Sequence, residues 1–187
     1  QKTDIRDQYI QKRIIIEYLD SDYALRKSEN ITLNTEIGRF DLEYHYTINE
    51  FINIKNNCKY PIDLLEKFVV NCKRGKTLTN KKELVVEKGM RFLHTTDIRG
   101  MLICNQSPIY VKRNNNYFDK SIVKSENILI GRVGKACIGK LAIVPINCSK
   151  MVISDCIFSL QIKDIDPFYL TLYLASKYGQ MQLKGVS

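Results

Sequence analysis

The sequence predicts an α+β fold: an irregular, curled, mostly antiparallel sheet with long loops and a closing C-terminal helix, preceded by a helical N-terminal connector. Three observations carry this. From about residue 60 onward, apolar runs of strand length alternate with long polar loops. Asp166-Pro167 opens a dense apolar run, PFYLTLYLA, behind an acidic N-cap, with Pro167 at a first helical position. Residues 4–27 lack Gly and Pro and place Ile5, Tyr9, Ile10, Ile14, Ile16, Leu19, Tyr23 and Leu25 at roughly helical spacing. The expected division is a helical connector over residues 1–57 and one domain over residues 58–187.

In chain order, the helix expected within 4–27 ends at the polar stretch Ser28-Glu29-Asn30, and a second helix is expected around Tyr46 to Asn53. Pro61 then separates the connector from Ile62–Val70, a short helix or turn leading into a strand. Asn71 to Lys82, NCKRGKTLTNKK, follows as a loop dense in cations and hydroxyls around one glycine. Such a loop is a candidate phosphate grip or a solvated turn. Gly89 to Leu102 reads as a strand ending in a polar corner, Thr95-Thr96-Asp97, with a further turn at Arg99-Gly100. Tyr110 to Tyr117 interleaves cations, amides and aromatics, a mixture that suits phosphate contact and base stacking as well as a plain surface loop. Met151 to Ile162 partly alternates as a strand does.

The central stretch is Ile128 to Pro145, ILIGRVGKACIGKLAIVP. It reads as two buried strands joined by a short basic glycine turn that presents Lys135 and Lys140 on a tight hairpin. Gly134 to Lys140 spells G-x-x-x-x-G-K, the start of a phosphate-binding loop, but residue 141 is Leu where such a loop needs the Ser or Thr that ligates magnesium. A strand pattern follows, with no helix N-terminus to receive a phosphate. A nucleotide-dependent enzyme on this motif is therefore disfavoured.

Composition is that of an ordinary globular domain, and no apolar run approaches membrane-spanning length. The charged N-terminus does not read as a signal peptide, so the expected location is cytoplasmic, with no membrane partner. Six cysteines are scattered without a C-x-x-C pair, and His45 and His94 stand alone, so no metal site is expected and the thiols are taken as reduced and structural. No cofactor is called for.

The charge becomes informative when split. Residues 1–57 carry 8 Lys/Arg against 10 Asp/Glu, and residues 58–187 carry 21 against 10. The second part therefore holds the whole positive excess, which favours a polyanionic partner, since each phosphate neutralised by Lys or Arg releases condensed counterions.

The order of motifs resembles a known family. A basic loop of K-x-G type (Lys73 to Thr77), a strand ending in a T-D-I corner (Thr95 to Ile98), the small-Arg-x-Gly turn and I-G-K step within Gly131 to Lys140, and the D-P-x-Y-L-x-x-x-L-x-S helix from Asp166 to Ser176 resemble the target recognition domain of type I restriction-modification specificity subunits. The resemblance covers about residues 60–187. Upstream, Gly38 to Tyr46 resembles the lead-in found where such domains are fused behind an N6-adenine methyltransferase.

The resemblance implies sequence-specific binding of double-stranded DNA, one domain reading one half of a split site. Methyltransferase and endonuclease activities would belong to a partner subunit or a fused domain, with a second recognition domain or a homodimer completing the site. No N-P-P-Y or D-P-P-Y signature, methyl-donor glycine loop or acidic nuclease triad occurs in this sequence, so the chain is expected to be non-catalytic. The rival class is a protein-interaction module that uses the N- and C-terminal helices.

On the DNA reading, Lys73, Arg74, Lys76, Lys81, Lys82, Lys135 and Lys140 are expected to hold phosphates. Arg99, Arg113 and Arg132 have the fork that suits guanine, Asn114, Asn115 and Asn116 the amide that suits adenine, and Thr95 and Thr96 are adaptable partners.

Overall fold

The computed structural model describes residues 12–19, 25–33, 42–79, 81–113, 116–148 and 150–185. It divides into two compact units, residues 1–62 and 63–185.

The first unit corrects the expectation of a wholly helical connector. Strands β1 (Lys12–Leu19) and β2 (Leu25–Leu33) pair antiparallel from Lys12↔Leu33 to Leu19↔Leu25, with a register irregularity at Tyr18/Leu19. The physical reason lies in Ile14-Ile15-Ile16 and Tyr18, whose branched and aromatic side chains lose rotamer freedom in a helix and fit a pleated surface. The spacing that matched a helix also matches period two at Ile14, Ile16 and Tyr18. The remainder of that expected helix, residues 4–11 and 20–24, lies outside the described residues. The second expected helix is present and longer, as α1 (Leu42–Asn57).

The second unit is α+β. A 3₁₀ turn (Leu65–Phe68) leads into β3 (Val69–Arg74), followed by α2 (Lys81–Leu84), β4 (Val85–Val86) and β5 (Met90–Leu93). The polar corner is a 3₁₀ turn, Thr95–Asp97, leading into β6 (Ile98–Arg99) and β7 (Leu102–Ile103). Next come β8 (Ile109–Val111), a 3₁₀ segment (Asn116–Ser121), β9 (Ile122–Val123), β10 (Ile128–Gly131), β11 (Leu141–Ile143), β12 (Met151–Ile153) and β13 (Ile157–Ile162). Two helices close the unit, α3 (Pro167–Ala175) and α4 (Lys177–Gly185).

The strands form two principal sheets. One is antiparallel, in the order β11-β10-β13-β3; the other, β4-β8-β5-β12-β9, is antiparallel except for the parallel pair β5/β12. The run read as one strand from Met151 to Ile162 is therefore two strands in different sheets, because the Ser154-Asp155-Cys156 turn carries the chain from one to the other.

Side-chain alternation stacks the layers. Leu129, Ala142 and Ile157 of the first sheet meet Leu93, Met151 and Ile153 of the second in one buried cluster. On the opposite face of the first sheet, Ile128, Ile130, Leu141 and Leu160 pack under Leu170 and Leu174 of α3. On the far face of the second, Met90, Phe92, Val111 and Val152 pack against Phe118 from the 3₁₀ segment. Strand β10 is thus apolar on both faces, which explains its unbroken apolar run.

The strand pair β10/β11 forms as expected, with Leu129 opposite Ala142, but nine residues rather than a tight hairpin connect it. No helix follows Lys140. The closing helix is also not continuous: Ser176 adopts φ −65°, ψ 166°, and splits it. Its N–H donates to the carbonyls of Leu172 and Tyr173 while its Oγ donates to the Tyr173 carbonyl at 2.6 Å, so Ser176 ends α3. Among the described residues, no helix is long and apolar enough to cross a membrane.

Candidate nucleic-acid interface

Strand register brings four chain segments to one end of the sandwich. Gly131 pairs with Ile157, Arg74 with Phe158, and Leu93 with Ile153. The loop after β3, the β10–β11 connection, the β12–β13 turn and the Thr95–Asp97 corner therefore share one rim.

Backbone bonds fasten these segments together. Arg132 N donates to Cys156 O at 3.0 Å, Lys76 N to Ile153 O at 3.0 Å, and Ser154 N to Leu93 O at 2.8 Å. Gly75 is required here by close approach. A Cβ on it would stand 2.1 Å from the Ile153 carbonyl oxygen and 2.2 Å from that of Ser154. The glycine of the basic loop thus lets the end of β3 seat against the β12–β13 turn, and so fixes where Lys76 emerges.

Asp155 is the hub of the rim. Its carbonyl accepts from Arg132 Nη1 at 2.9 Å, and its carboxylate lies 3.6 Å from Arg74 Nη2. The Arg132 guanidinium also stands 5.4 Å from the centroid of Phe158, so this arginine is held on two sides. Beside it, the Cys156 thiol donates to Asp155 Oδ1 at 3.8 Å. Burial first, then the Asp155 carboxylate, pushes that thiol above the ordinary range. All six cysteines are free, and Cys58 and Cys72 are exposed, not apolar filler.

Lys76 is exposed, with Nζ 5.4 Å from the ring centroid of Tyr117, whose hydroxyl donates to Thr77 O at 2.9 Å. Lys135 is exposed on the β10–β11 connection. Lys140 is half-buried and its Nζ reaches the Thr95 carbonyl at 3.4 Å. Thr95 itself is 3% exposed and its hydroxyl accepts from Cys137 Sγ at 3.4 Å, so it joins corner to connection from the inside, whereas Thr96 is exposed. Asp97 also faces inward: its carboxylate accepts from His94 N at 2.7 Å and from Arg91 Nη2 at 2.8 Å.

The rim therefore gathers Arg74, Lys76, Arg132, Lys135 and Lys140 with Thr95 and Thr96. Lys73 is one residue in, half-buried opposite Ser159 on β3. Arg99 is exposed on β6, next to the Gly100-Met101 corner that bridges to Ala142 of β11. Arg113 is elsewhere. Met90 pairs with Val111, so Arg113 lies beyond the start of β5, at the opposite end of the sheet. Lys81 and Lys82, on α2, belong to that end too, since the Leu84 carbonyl accepts from Lys112 N at 3.0 Å. Asn114 and Asn115 lie outside the described residues, and Asn116 is exposed.

Sequence reasoning missed Asp155 and Phe158 as parts of this end, and reached Tyr117 only as the last residue of an aromatic and amide stretch. Asp155 had a signal, a lone carboxylate inside the apolar run MVISDCIFSLQI. Among the described residues, no group of three or more His, Cys, Asp or Glu could hold a metal.

No family model and no curated protein matches the chain. Solved structures do. One is the HsdS subunit from Thermoanaerobacter tengcongensis, with TM-score 0.49 and 15% identity over 80% of this chain and 38% of that one. Another comes from work on complex assembly and conformational transition of the type I R-M system, with TM-score 0.42 and 14% identity over 79% and 39%. The chain is similar to both. It spans about two fifths of the length of these solved structures.

Proposed function

We propose that this chain binds double-stranded DNA in a sequence-specific way, as the target recognition part of a restriction-modification specificity component. The single observation that carries the reading is the rim. Cations from two segments, Lys76 just after β3 and Lys135 and Lys140 on the β10–β11 connection, meet at one end of the sandwich, while the carboxylates Asp97 and Asp155 there already serve Arg91 and Arg74. The motif resemblance over about residues 60–187 supports the same reading, with residues 58–187 as the recognition domain and residues 1–57 as the connector. Chemistry on the DNA would then fall to a methyltransferase and endonuclease carried by a partner chain or a fused domain.

On this reading Lys76, Lys135, Lys140 and Arg74 hold phosphates, and the exposed Arg99 and Thr96 read base edges beside them. Arg132 and Thr95 act one step back, by holding the β10–β11 connection in place. Lys73, Lys81, Lys82, Arg113 and Asn115 reach DNA only where the duplex extends past the rim. The test is binding to a random-sequence duplex pool across a salt series, with sequencing of what is retained. A steep salt dependence with an enriched motif of a few base pairs is expected. Retention without enrichment would remove sequence reading, and no retention at low salt would remove DNA as partner.

A protein-interaction module is the second reading, favoured by one observation. Phe168, Tyr169, Leu172, Tyr173 and Tyr178 are all exposed on α3 and α4. Retention of DNA binding after Tyr169→Ser and Leu172→Ser, with loss of a co-purifying subunit, would assign this face to protein contact and leave the rim to DNA.

A further inference from the structure

The elbow between α3 and α4 is tied to the basic β10–β11 connection by one side chain. Gln180 Nε2 donates one hydrogen bond to the Gly139 carbonyl at 2.8 Å and another to the Leu174 carbonyl at 3.0 Å. Leu174 lies in the last turn of α3, where carbonyls lack a helical partner, and Gly139 immediately precedes Lys140. An amide NH₂ has two hydrogens, and here both are used on carbonyls from different segments. The shape is matched to this. Gly139 has φ +81°, a conformation that favours glycine, and a Cβ there would stand 2.6 Å from Gln180 Oε1, so a larger residue would displace this amide. Gln180 is itself seated on the elbow, since its N–H donates to the Ser176 carbonyl at 2.9 Å. Beside the strut lies a cavity of about 190 Å³, lined by Ile98, Met101, Lys140, Leu141, Ala175 and Gln180.

From this we infer that Gln180 is a positioning residue that sets the basic connection for its anion and couples that connection to the direction of α4. The inference rests on the DNA reading for the nature of the anion and on the geometry alone for the coupling. When phosphate pulls on Lys135 and Lys140, the Gly139 carbonyl moves, and Gln180 transmits the displacement to the elbow. In the opposite sense, a contact that turns α4 shifts the connection and alters affinity, as linkage requires.

The experiment compares wild-type protein with Gln180→Met, which keeps length without donors, and with Gln180→Glu, which keeps shape without donors and serves if the first variant does not fold. Backbone amide resonances are followed with and without a duplex, well below the melting temperature of each protein. In the free protein, each variant should shift the amides of Gly139 and Lys140 together with those of residues 176–182. Unmoved Gly139 and Lys140 amides would overturn the coupling whatever DNA does. With duplex, wild type should shift both sets, whereas Gln180→Met should shift the connection only. Its affinity should fall about fivefold, on the scale of one lost hydrogen bond, with the salt slope unchanged because no charge is lost. A variant that binds at wild-type strength and still moves α4 would overturn the inference. Wild type that binds no duplex would overturn the DNA reading instead, with the free-protein comparison still deciding the coupling.

Discussion

Arg91 places a guanidinium inside the second sheet, 5% exposed, where, among the described residues, Asp97 Oδ1 and the Cys104 carbonyl answer it, both through Nη2. Its Nε and Nη1 have no hydrogen-bond partner among the described residues. A buried ion pair adds little net stability when intact but is costly to break from one side. Asp97→Ala should therefore destabilise the fold by about 3 kcal/mol, read by chemical denaturation. A loss under 1 kcal/mol would mean that water reaches Arg91. Cys156 gives a second test at this scale. Its raised pKa keeps the thiol protonated at neutral pH, so alkylation should rise only at alkaline pH, with a midpoint above that of an ordinary thiol. Asp155→Asn should move that midpoint down, because a carboxylate no longer opposes the thiolate. An unchanged midpoint would leave burial as the sole cause. These inward roles were not legible in the sequence. Thr95 and Asp97 have the same donors and acceptors whether they face a base edge or Arg91 and Lys140, and only their 3₁₀ corner decides which.

At the scale of elements, the sequence was most legible where local chemistry and packing agree. Asp166 accepts from Tyr169 N at 2.7 Å ahead of Pro167, the cap expected from these residue types. Asp166→Ala should cost about 1 kcal/mol, and Asp166→Asn or Asp166→Ser much less, measured by thermal unfolding. The apolar run of β10 was equally plain, because a strand covered on both faces needs no polar alternation. Legibility failed at residues 12–33, where one set of isoleucines and tyrosines satisfies both periods and the hairpin pairing decides. It also failed at Ser176, since nothing between Leu174 and Gly179 forbids a continuous helix. The split is made by Ser176 bonding back onto α3 and by Gln180 reaching across to Gly139, contacts that sequence spacing does not contain.

For the molecule as a whole, the placement of cations at the rim predicts, on the proposed DNA reading, which of them carry the response to salt. Replacing Lys76, Lys135 and Lys140 together by Ala should flatten the slope of log affinity against log salt by about 0.9 for each phosphate contact removed. Replacing Lys81, Lys82 and Arg113, at the opposite end of the second sheet, should change it by less than one such contact. Equal losses from both sets would count against the rim as the place where the proposed DNA contact is made. The positive balance of residues 58–187 was visible from the sequence, but which of its cations meet at the rim depends on register. Gly131↔Ile157 and Arg74↔Phe158 put those cations together, whereas Met90↔Val111 carries Arg113 away.

The same registers bear on how the chain is made. Residues 151–162 supply β12, which fills the slot between β5 and β9, and β13, which fills the slot between β10 and β3. Neither sheet is closed until this stretch has left the ribosome. Until then β5 and β10 present unpaired edges, the surfaces on which nascent chains stick to one another. Synthesis beyond residue 162 is thus a commitment point for the second unit, and a pause just before residue 151 would leave both half-sheets open to a chaperone or to a neighbouring copy.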